Sequence, residues 1–171
     1  VAVESPIDPN TKEPDYRALR SALVSLGGNM KKDVLIIIES TLAPKTMAKV
    51  VKPVLEEVSG MKCSVDFFLA HCPERVMSGR LLYNLRHYDR VIGGMCPEAT
   101  RRALEFYNHI VKGELHPTDA TTAEIVKTTE NAYRDVQIAF ANEIALICEH
   151  LGADAYEVRR LVNTCPFRDM H

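Results

Sequence analysis

The 171-residue sequence has no tryptophan, no excess of charge of either sign and no long apolar run. With 21 Lys and Arg against 23 Asp and Glu, no net field would draw the molecule to nucleic acid or to an anionic membrane. The longest apolar runs, such as residues 34–38, are too short to cross a bilayer, and no signal-like segment opens the sequence. We therefore expect a cytoplasmic protein with neither a nucleic-acid nor a membrane partner.

Cysteine pairs with the spacing of a metal or redox site are also missing. The five cysteines are odd in number, widely spaced and form no C-x-x-C motif, which argues against a disulfide framework and a structural zinc site. We expect reduced thiols, mostly buried, and no bound metal. The cysteines are Cys63, Cys72, Cys96, Cys148 and Cys165.

The glycine motif that cradles a dinucleotide pyrophosphate, Gly-x-Gly-x-x-Gly, occurs nowhere in the sequence. The chain also opens on Val1-Ala2-Val3 without a Met or a turn signal, as if within a buried strand. We therefore expect these residues to be an internal part of a longer protein.

Short β-branched runs alternate with helical stretches from residue 1 to about residue 117, a pattern typical of parallel βαβ units. This half is therefore predicted to be α/β with a parallel sheet. The predicted strands are 1–4, 34–39, 65–70 and 90–92, and the predicted helices are 15–26, 45–58 and 97–111.

After Gly113 the pattern becomes helical. Residues 121–150 contain neither Gly nor Pro and predict one helix, Thr121–His150, about 45 Å long, with a second helix at 154–162. The part from Val136 to Cys148 is apolar on nearly every side, and the chain has few elements that could cover it. We therefore expect the long helix to be buried against a second subunit.

Polar side chains recur along one side of this helix. Lys127, Asn131, Asp135 and Asn142 follow one another at spacings of four, four and seven residues, with Arg134 at the edge. Such a stripe is either a solvated face with an ion pair, or a site in which a lysine and an amide one turn apart orient a reacting oxygen and stabilise its negative charge. Periodicity alone leaves both interpretations open.

Hydroxyl groups follow two of the predicted strands. Ser40 and Thr41 come after the strand 34–39, and Ser5 follows the strand 1–4. Ligands of open α/β sheets bind at the carboxyl ends of the strands, which favours cofactor contacts here. An ordinary cap or turn residue explains the same pattern equally well.

The run 71–76, His-Cys-Pro-Glu-Arg-Val, follows the third predicted strand. No second pair of ligands accompanies His71 and Cys72, so a buried thiol is a better interpretation than a metal ligand or a nucleophile. Glu74 and Arg75 suit proton handling and the binding of phosphate or carboxylate, respectively. A surface ion pair between these two residues is the alternative.

Three strings resemble the UDP-glucose/GDP-mannose dehydrogenase family in order and spacing, and the similarity covers essentially the whole chain. They are ESTLAPKTM at 39–47, CPERVMSGRLLYNLRHYDRVIGG at 72–94 and TAEIVKTTENAYRDVQIAFANEIALICEHLG at 122–152. Within the family, the motifs PERV and ENAYRDVQIAFANE are similar to those of the branch that acts on UDP-N-acetylmannosamine and related N-acetylated UDP-sugars.

The resemblance implies a fold of two parts. Residues 1–117 would be the carboxyl-terminal part of an NAD-binding domain, with a partial Rossmann-like, doubly wound parallel sheet. Residues 118–171 would be an incomplete, all-α central domain whose long helix forms a homodimer. The implied activity is a two-step oxidation of the primary alcohol of a UDP-sugar to the uronic acid, for polysaccharide or glycan precursors. NAD would accept both hydrides, and a cysteine thiol would carry the intermediates.

The functional residues of the family carry over one by one. Lys127 and Asn131 match the lysine and the asparagine at the reacting centre, and Glu74 matches the active-site glutamate. The remaining matches would contact the sugar nucleotide or lie beside the nicotinamide. They are Arg75, Val76 and Arg134 for the UDP-sugar, and Ser5 and Thr41 for NAD.

The family's glycine-rich turn lies upstream of the position that matches Val1, and its nucleophilic cysteine lies shortly after the position that matches His171. None of the five cysteines matches that nucleophile, so the resemblance implies that the chain alone is inactive. Two other hypotheses remain. One is a non-catalytic family remnant that acts as a dimerisation module, and the other is a different NAD-linked enzyme with a long central helix, such as a phosphogluconate or hydroxyacid dehydrogenase.

Overall fold

The computed structural model describes residues 1–76, 79–167 and 169–170, and the chain divides into two compact units. The first unit is Val1–Thr128 and the second is Thr129–His171. This division falls inside one long helix. The domain boundary predicted from the sequence, between residues 117 and 118, stays a prediction.

A sheet forms the centre of the first unit. Its strands in the described residues are β1 (Leu35–Ile38), β2 (Phe68–His71), β3 (Arg90–Gly94) and β4 (Leu115–Asp119). They lie in the order β1-β2-β3-β4, with parallel pairing of β1 with β2 and of β3 with β4. The pairing of β2 with β3 is antiparallel.

The sequence prediction of an all-parallel sheet is thus wrong at one junction. The alternation of apolar residues shows where a strand lies. Because this alternation is the same in parallel and antiparallel strands, it could not predict the antiparallel pairing. Strand β4 was not predicted, because it contains Pro117 and only Leu115 and Thr118 of its residues are half-buried. Such a composition is typical of an edge strand.

Helices α1 (Arg17–Gly27), α2 (Lys52–Ser59), α3 (Leu81–His87) and α4 (Pro97–Asn108) complete the first unit, and a π-helical segment, Met47–Val51, leads into α2. The three predicted helices of this half are confirmed to within a few residues, whereas the short α3 was missed. Gly60 ends α2 at a φ of 69°, a left-handed conformation that glycine adopts without strain, and its N–H donates to the carbonyl of Glu56.

Helices cover both faces of the sheet. On one face, Leu19 and Leu23 of α1 pack with Ile38 of β1, and on the other face Tyr107 of α4 packs with Ile92 of β3. Burying each large aliphatic side chain contributes about 2 kcal/mol relative to leaving it in water. The two separate apolar clusters are what a doubly wound α/β fold requires.

The long helix α5 (Ala120–Leu151) starts in the first unit, and most of it belongs to the second, followed by α6 (Ala155–Val162). Both helices confirm the sequence prediction. Asp154 caps α6, because its side chain accepts hydrogen bonds from the N–H groups of Tyr156 at 2.8 Å and Glu157 at 3.3 Å.

Two expectations from composition concern cysteines and membranes. All five cysteines are free, and three of them, Cys63, Cys72 and Cys148, are buried, which confirms that most of the thiols lie inside. In the part of the chain that the structure describes, no helix has the length and apolar character needed to span a bilayer.

Candidate active site

The first residues of the chain run beside β1. The amino group of Val1 donates to the carbonyl of Ile37 at 2.6 Å, and the N–H of Glu39 donates to the carbonyl of Val1 at 2.8 Å. The Ser40 hydroxyl then bridges the N–H and the carbonyl of Val3 at 2.8 and 2.7 Å. Segment 1–3 therefore extends the sheet as a neighbour of β1, although its pairing is too short to be a regular strand.

Ser5 and Thr41 lie together at the ends of these two neighbours. The Ser5 hydroxyl donates to the carbonyl oxygen of Thr41 at 2.8 Å, and both residues are half-buried. Dinucleotides bind at the carboxyl edge of an open α/β sheet, so two hydroxyl-bearing residues at this edge fit the nicotinamide half of NAD. Ser40 has a structural role, because its hydroxyl is hydrogen-bonded to the backbone of Val3.

Glu74 lies one strand further along this edge. Its N–H donates to the carbonyl of Glu39 at 3.1 Å, and its Oε1 is buried without a hydrogen-bond partner among the described residues. Burial raises the pKa of the Glu74 carboxyl, Lys127 and Arg90 lower it, and Glu39 raises it. A carboxyl group with a raised pKa beside a lysine is suited to proton transfer near neutral pH.

Lys127 is half-buried on α5, and Glu124 fixes this part of the helix. The Glu124 carboxylate is fully buried and accepts hydrogen bonds from the N–H groups of Lys45 at 2.6 Å and Met47 at 2.7 Å. Burial raises the pKa of Glu124, while both backbone donors lower it. Charge-assisted bonds of this kind are stronger than neutral ones, so they anchor α5 one turn before Lys127.

The structure places the other predicted site residues as follows. Arg75 and Val76 are half-buried beside Glu74, and the Arg75 guanidinium donates to the carbonyl of Asp89 at 3.3 Å. Asn131 and Arg134 belong to the second unit, where both are exposed. In the first unit, Ser5 and Thr41 thus lie together, and the charge of Lys127 lowers the pKa of Glu74.

Sequence reasoning missed Glu39, Arg90, Tyr107 and Glu124, which surround these groups. Glu39 and Arg90 flank apolar strand residues, and Glu124 opens the long helix, where a carboxylate is usually solvated. Arg90 and Glu124 are buried charged groups, and only the apolar neighbours of each residue in the sequence signalled this, which is a weak signal.

Two family descriptions match nearly the whole chain. Residues 1–111 match the NAD-binding domain of the UDP-glucose/GDP-mannose dehydrogenase family, and residues 121–171 match its central domain. The chain belongs to this family. The resemblance stated from sequence motifs is therefore confirmed, and NAD is the cofactor of the matched domain.

Individual relatives are similar along the whole chain. UDP-N-acetyl-D-mannosamine dehydrogenase of Pyrococcus horikoshii is 41% identical over all 171 residues, and its solved structure superposes with a TM-score of 0.93. The Escherichia coli enzyme of the same name is 40% identical over 97% of the chain. The UDP-N-acetyl-mannosamine dehydrogenase structure from Staphylococcus aureus is 40% identical, with a TM-score of 0.87, and the match covers the full chain.

The chain spans about two fifths of the length of these relatives, 40% of the Pyrococcus horikoshii protein and 41% of the other two. The fold class predicted from sequence, a partial Rossmann-like sheet followed by a helical part with one long helix, is confirmed by the likeness to these dehydrogenases. The roles of the individual site residues stay predictions.

Proposed function

We propose that the chain forms the carboxyl-terminal part of the NAD-binding domain and the start of the central domain of a nucleotide-sugar dehydrogenase, with UDP-N-acetylmannosamine as its substrate. The observation that carries the proposal is the sheet edge at which the Ser5 hydroxyl donates to the carbonyl oxygen of Thr41 and Glu74, one strand further along, has a buried carboxyl oxygen. Relatives that bear the name of this activity are 40 to 41% identical to the chain.

The proposed reaction converts the primary alcohol of the sugar to a carboxylate. The alcohol, two NAD⁺ and one water give the carboxylate, two NADH and three protons. NAD supplies the hydride acceptor when bound. The first oxidation yields an aldehyde, which a cysteine thiol traps, and the second yields a thioester, which water cleaves.

Three residues of the chain carry the proton and charge chemistry of this proposal. Glu74 accepts a proton, because partial burial raises the pKa of its carboxyl and so strengthens its affinity for a proton. Lys127 stabilises the oxyanion that develops on the sugar, and Asn131, four residues further along α5, holds that oxygen or the attacking water.

The other site residues bind and orient. We assign Arg75, Val76 and Arg134 to the UDP-sugar, since guanidinium groups form paired hydrogen bonds with phosphate. Ser5 and Thr41 are assigned to the nicotinamide half of NAD. We place the activity in the cytoplasm, where free thiols such as the five of this chain stay reduced.

The chain alone should form no NADH, because none of its five cysteines is proposed as the nucleophile. Cys72 is the cysteine next in sequence to the site, but burial raises the pKa of its thiol and so disfavours the reactive thiolate. Without a thiol the covalent route is lost. Steady formation of NADH by the 171-residue chain, dependent on Lys127, would contradict this part of the proposal.

The direct test is an assay of the intact enzyme encoded by the reading frame that contains these residues. With UDP-N-acetylmannosamine we expect two NADH per sugar oxidised, measured by absorbance, and a uronic acid product identified by mass spectrometry. UDP-glucose and GDP-mannose serve as controls and should be oxidised far more slowly. A frame that binds neither NAD nor a nucleotide sugar would instead favour the non-catalytic dimerisation module.

We further propose that the enzyme is a homodimer formed through α5. In the second unit, Tyr133, Val136, Phe140, Ile147 and Leu151 share one face of this helix and are 51 to 73% exposed. An apolar stripe of this length is far from what a monomer leaves in water. A second copy of the same helix is a self-complementary partner for it, as twofold symmetry requires.

Phe140→Glu should therefore break the dimer. A glutamate in the middle of the stripe would bury an unpaired charge in the interface, and we expect the dimer dissociation constant to rise by about 100-fold or more. Analytical ultracentrifugation of the intact enzyme measures the change. Ala139→Glu adds the same charge about 100° around the helix and is the control. A wild-type enzyme that sediments as a monomer at all concentrations would refute the assignment.

A further inference from the structure

Arg90 opens β3 and is almost completely buried, with an exposed fraction of 3%. Its Nη2 makes one long contact of 3.5 Å with the carbonyl oxygen of Leu85. Nε and Nη1 have no hydrogen-bond partner among the residues that the structure describes. A buried guanidinium is costly without a counter-charge, so a nearby acidic group should balance it.

Glu74 is an acidic group on the segment that follows β2, the strand that pairs with β3. In the antiparallel pairing of β2 with β3, Ala70 lies opposite Gly94. His71 lies opposite Gly93, so the chain that leaves β2 runs toward the end of β3 at which Arg90 lies. The buried Oε1 of Glu74 also has no hydrogen-bond partner in the described part of the chain. One buried acceptor of Glu74, just after β2, and two buried donors of Arg90, on the neighbouring strand β3, are thus left without partners among the described residues.

Glu39 is a second acidic group on the cavity that Arg90 lines, but its carboxylate is already engaged. The Tyr107 hydroxyl donates to Oε1 of Glu39 at 2.5 Å, and burial holds the pKa of this hydroxyl far above its usual value, so it stays a donor. The Arg90 guanidinium carbon lies 5.6 Å from the centroid of the Tyr107 ring. Tyr107 therefore occupies one oxygen of Glu39, whereas the buried Oε1 of Glu74 has no donor among the described residues.

We propose that Arg90 is a positioning residue for Glu74: a buried, permanently charged guanidinium that keeps the Glu74 carboxylate ionised and oriented. This inference rests on the proposed catalytic role of Glu74. Lys127 cannot take over the task, because its ammonium group is proposed to face the reacting oxygen of the substrate. Because Arg90 is almost completely buried, water screens its charge little, and that charge acts on Glu74 throughout the reaction.

Charged groups of three elements oppose one another at Glu74. Burial raises the pKa of Glu74, and so does the charge of Glu39, which directly follows β1. Lys127 of α5 and Arg90 of β3 lower this pKa. When the Arg90 charge is removed, only Lys127 remains to oppose burial, so the pKa of Glu74 rises. A general base must be ionised, and activity at acidic pH should therefore fall first.

The test compares Arg90→Met with Arg90→Lys, which keeps the charge. Carbon-13 NMR of the Glu74 carboxyl in the intact enzyme, assigned by the loss of its signal in Glu74→Gln, should show a titration midpoint at higher pH in Arg90→Met. The Lys variant should return it toward the wild-type value. In the intact enzyme, Arg90→Met should lose about tenfold in kcat/KM at the acidic end of the profile and less than about twofold on the high-pH plateau.

Arg86→Met removes an exposed arginine of α3 and is the control, which should leave both profiles unchanged. A Glu74 midpoint that stays in place in folded Arg90→Met overturns the inference. If the midpoint moves and the kinetic profile does not, the link between Arg90 and Glu74 holds and the proposed catalytic role of Glu74 fails. Should Arg90→Met not fold, Arg90→Gln is measured in the same way, and an unmoved midpoint there overturns the inference too.

Discussion

Replacing Lys127 by methionine should lower kcat of the intact enzyme by about 10³-fold, with a much smaller change in KM. Preorganised charge at a developing oxyanion and positioned proton transfer each contribute about 10² to 10⁴ in rate. Methionine keeps the length and much of the volume of the side chain but removes its charge. The measurement is steady-state NADH formation with UDP-N-acetylmannosamine, and binding of the sugar nucleotide by calorimetry shows whether the site is still formed.

Lys112→Met is the matched control, because Lys112 is an exposed lysine between α4 and β4. The same change at that position should leave kcat within about twofold. An equal loss of activity in both variants would mean that the effect comes from net charge or folding. If instead Lys127→Met raises KM and leaves kcat intact, Lys127 binds the substrate in its ground state, and its assignment to the oxyanion is wrong.

The long helix is the element that the sequence predicted best. Residues 121–150 lack Gly and Pro, and the structure extends the helix by only one residue at each end, to Ala120 and Leu151. The apolar character of its central part predicted that another subunit covers it. In the structure, Phe140 and its apolar neighbours are exposed on one face, and this is the surface that such a subunit would bury. Local propensity and periodicity suffice here, because helix hydrogen bonds join residues four apart.

The strand ends were predictable for the same reason. Ser5, Thr41 and Glu74 each follow an apolar run, and parallel neighbours end at a common edge, so the sequence alone assigns these hydroxyl and carboxyl groups to that edge. Their roles came from family motifs, because strand periodicity contains no information about chemistry.

The support of the site could not be predicted, since it depends on contacts between residues distant in sequence. The bonds from Glu124 to the segment 45–47 span 79 and 77 residues, and the bond from Tyr107 to Glu39 spans 68. The segment that bears Glu74 runs toward Arg90 only because β3 is antiparallel to β2, which the sequence did not reveal. A single sequence lacks the pairings that bring such groups together.

Gly93→Ala is expected to destabilise the protein by about 4 kcal/mol, a large part of the stability of an ordinary domain. A Cβ at Gly93 would lie 2.2 Å from the carbonyl oxygen of Asp119 and 2.9 Å from the nitrogen of Ala120. Both obstacles are backbone atoms at the junction of β4 and α5, so no side-chain rotation can relieve the clash. Urea unfolding followed by circular dichroism measures the loss.

Gly28→Ala is the matched control, because a Cβ there meets its nearest atom, the carbonyl oxygen of Val24, at 3.6 Å and the φ is −69°. Alanine at that position should be neutral or stabilising by a few tenths of a kcal/mol. The contrast also tests how the site is built. The junction that Gly93 accommodates begins α5, so whatever fraction of Gly93→Ala remains folded should carry a displaced Lys127 and lose kcat beyond the loss of folded enzyme. Full specific activity per folded molecule would mean that Lys127 is positioned by Glu124 alone.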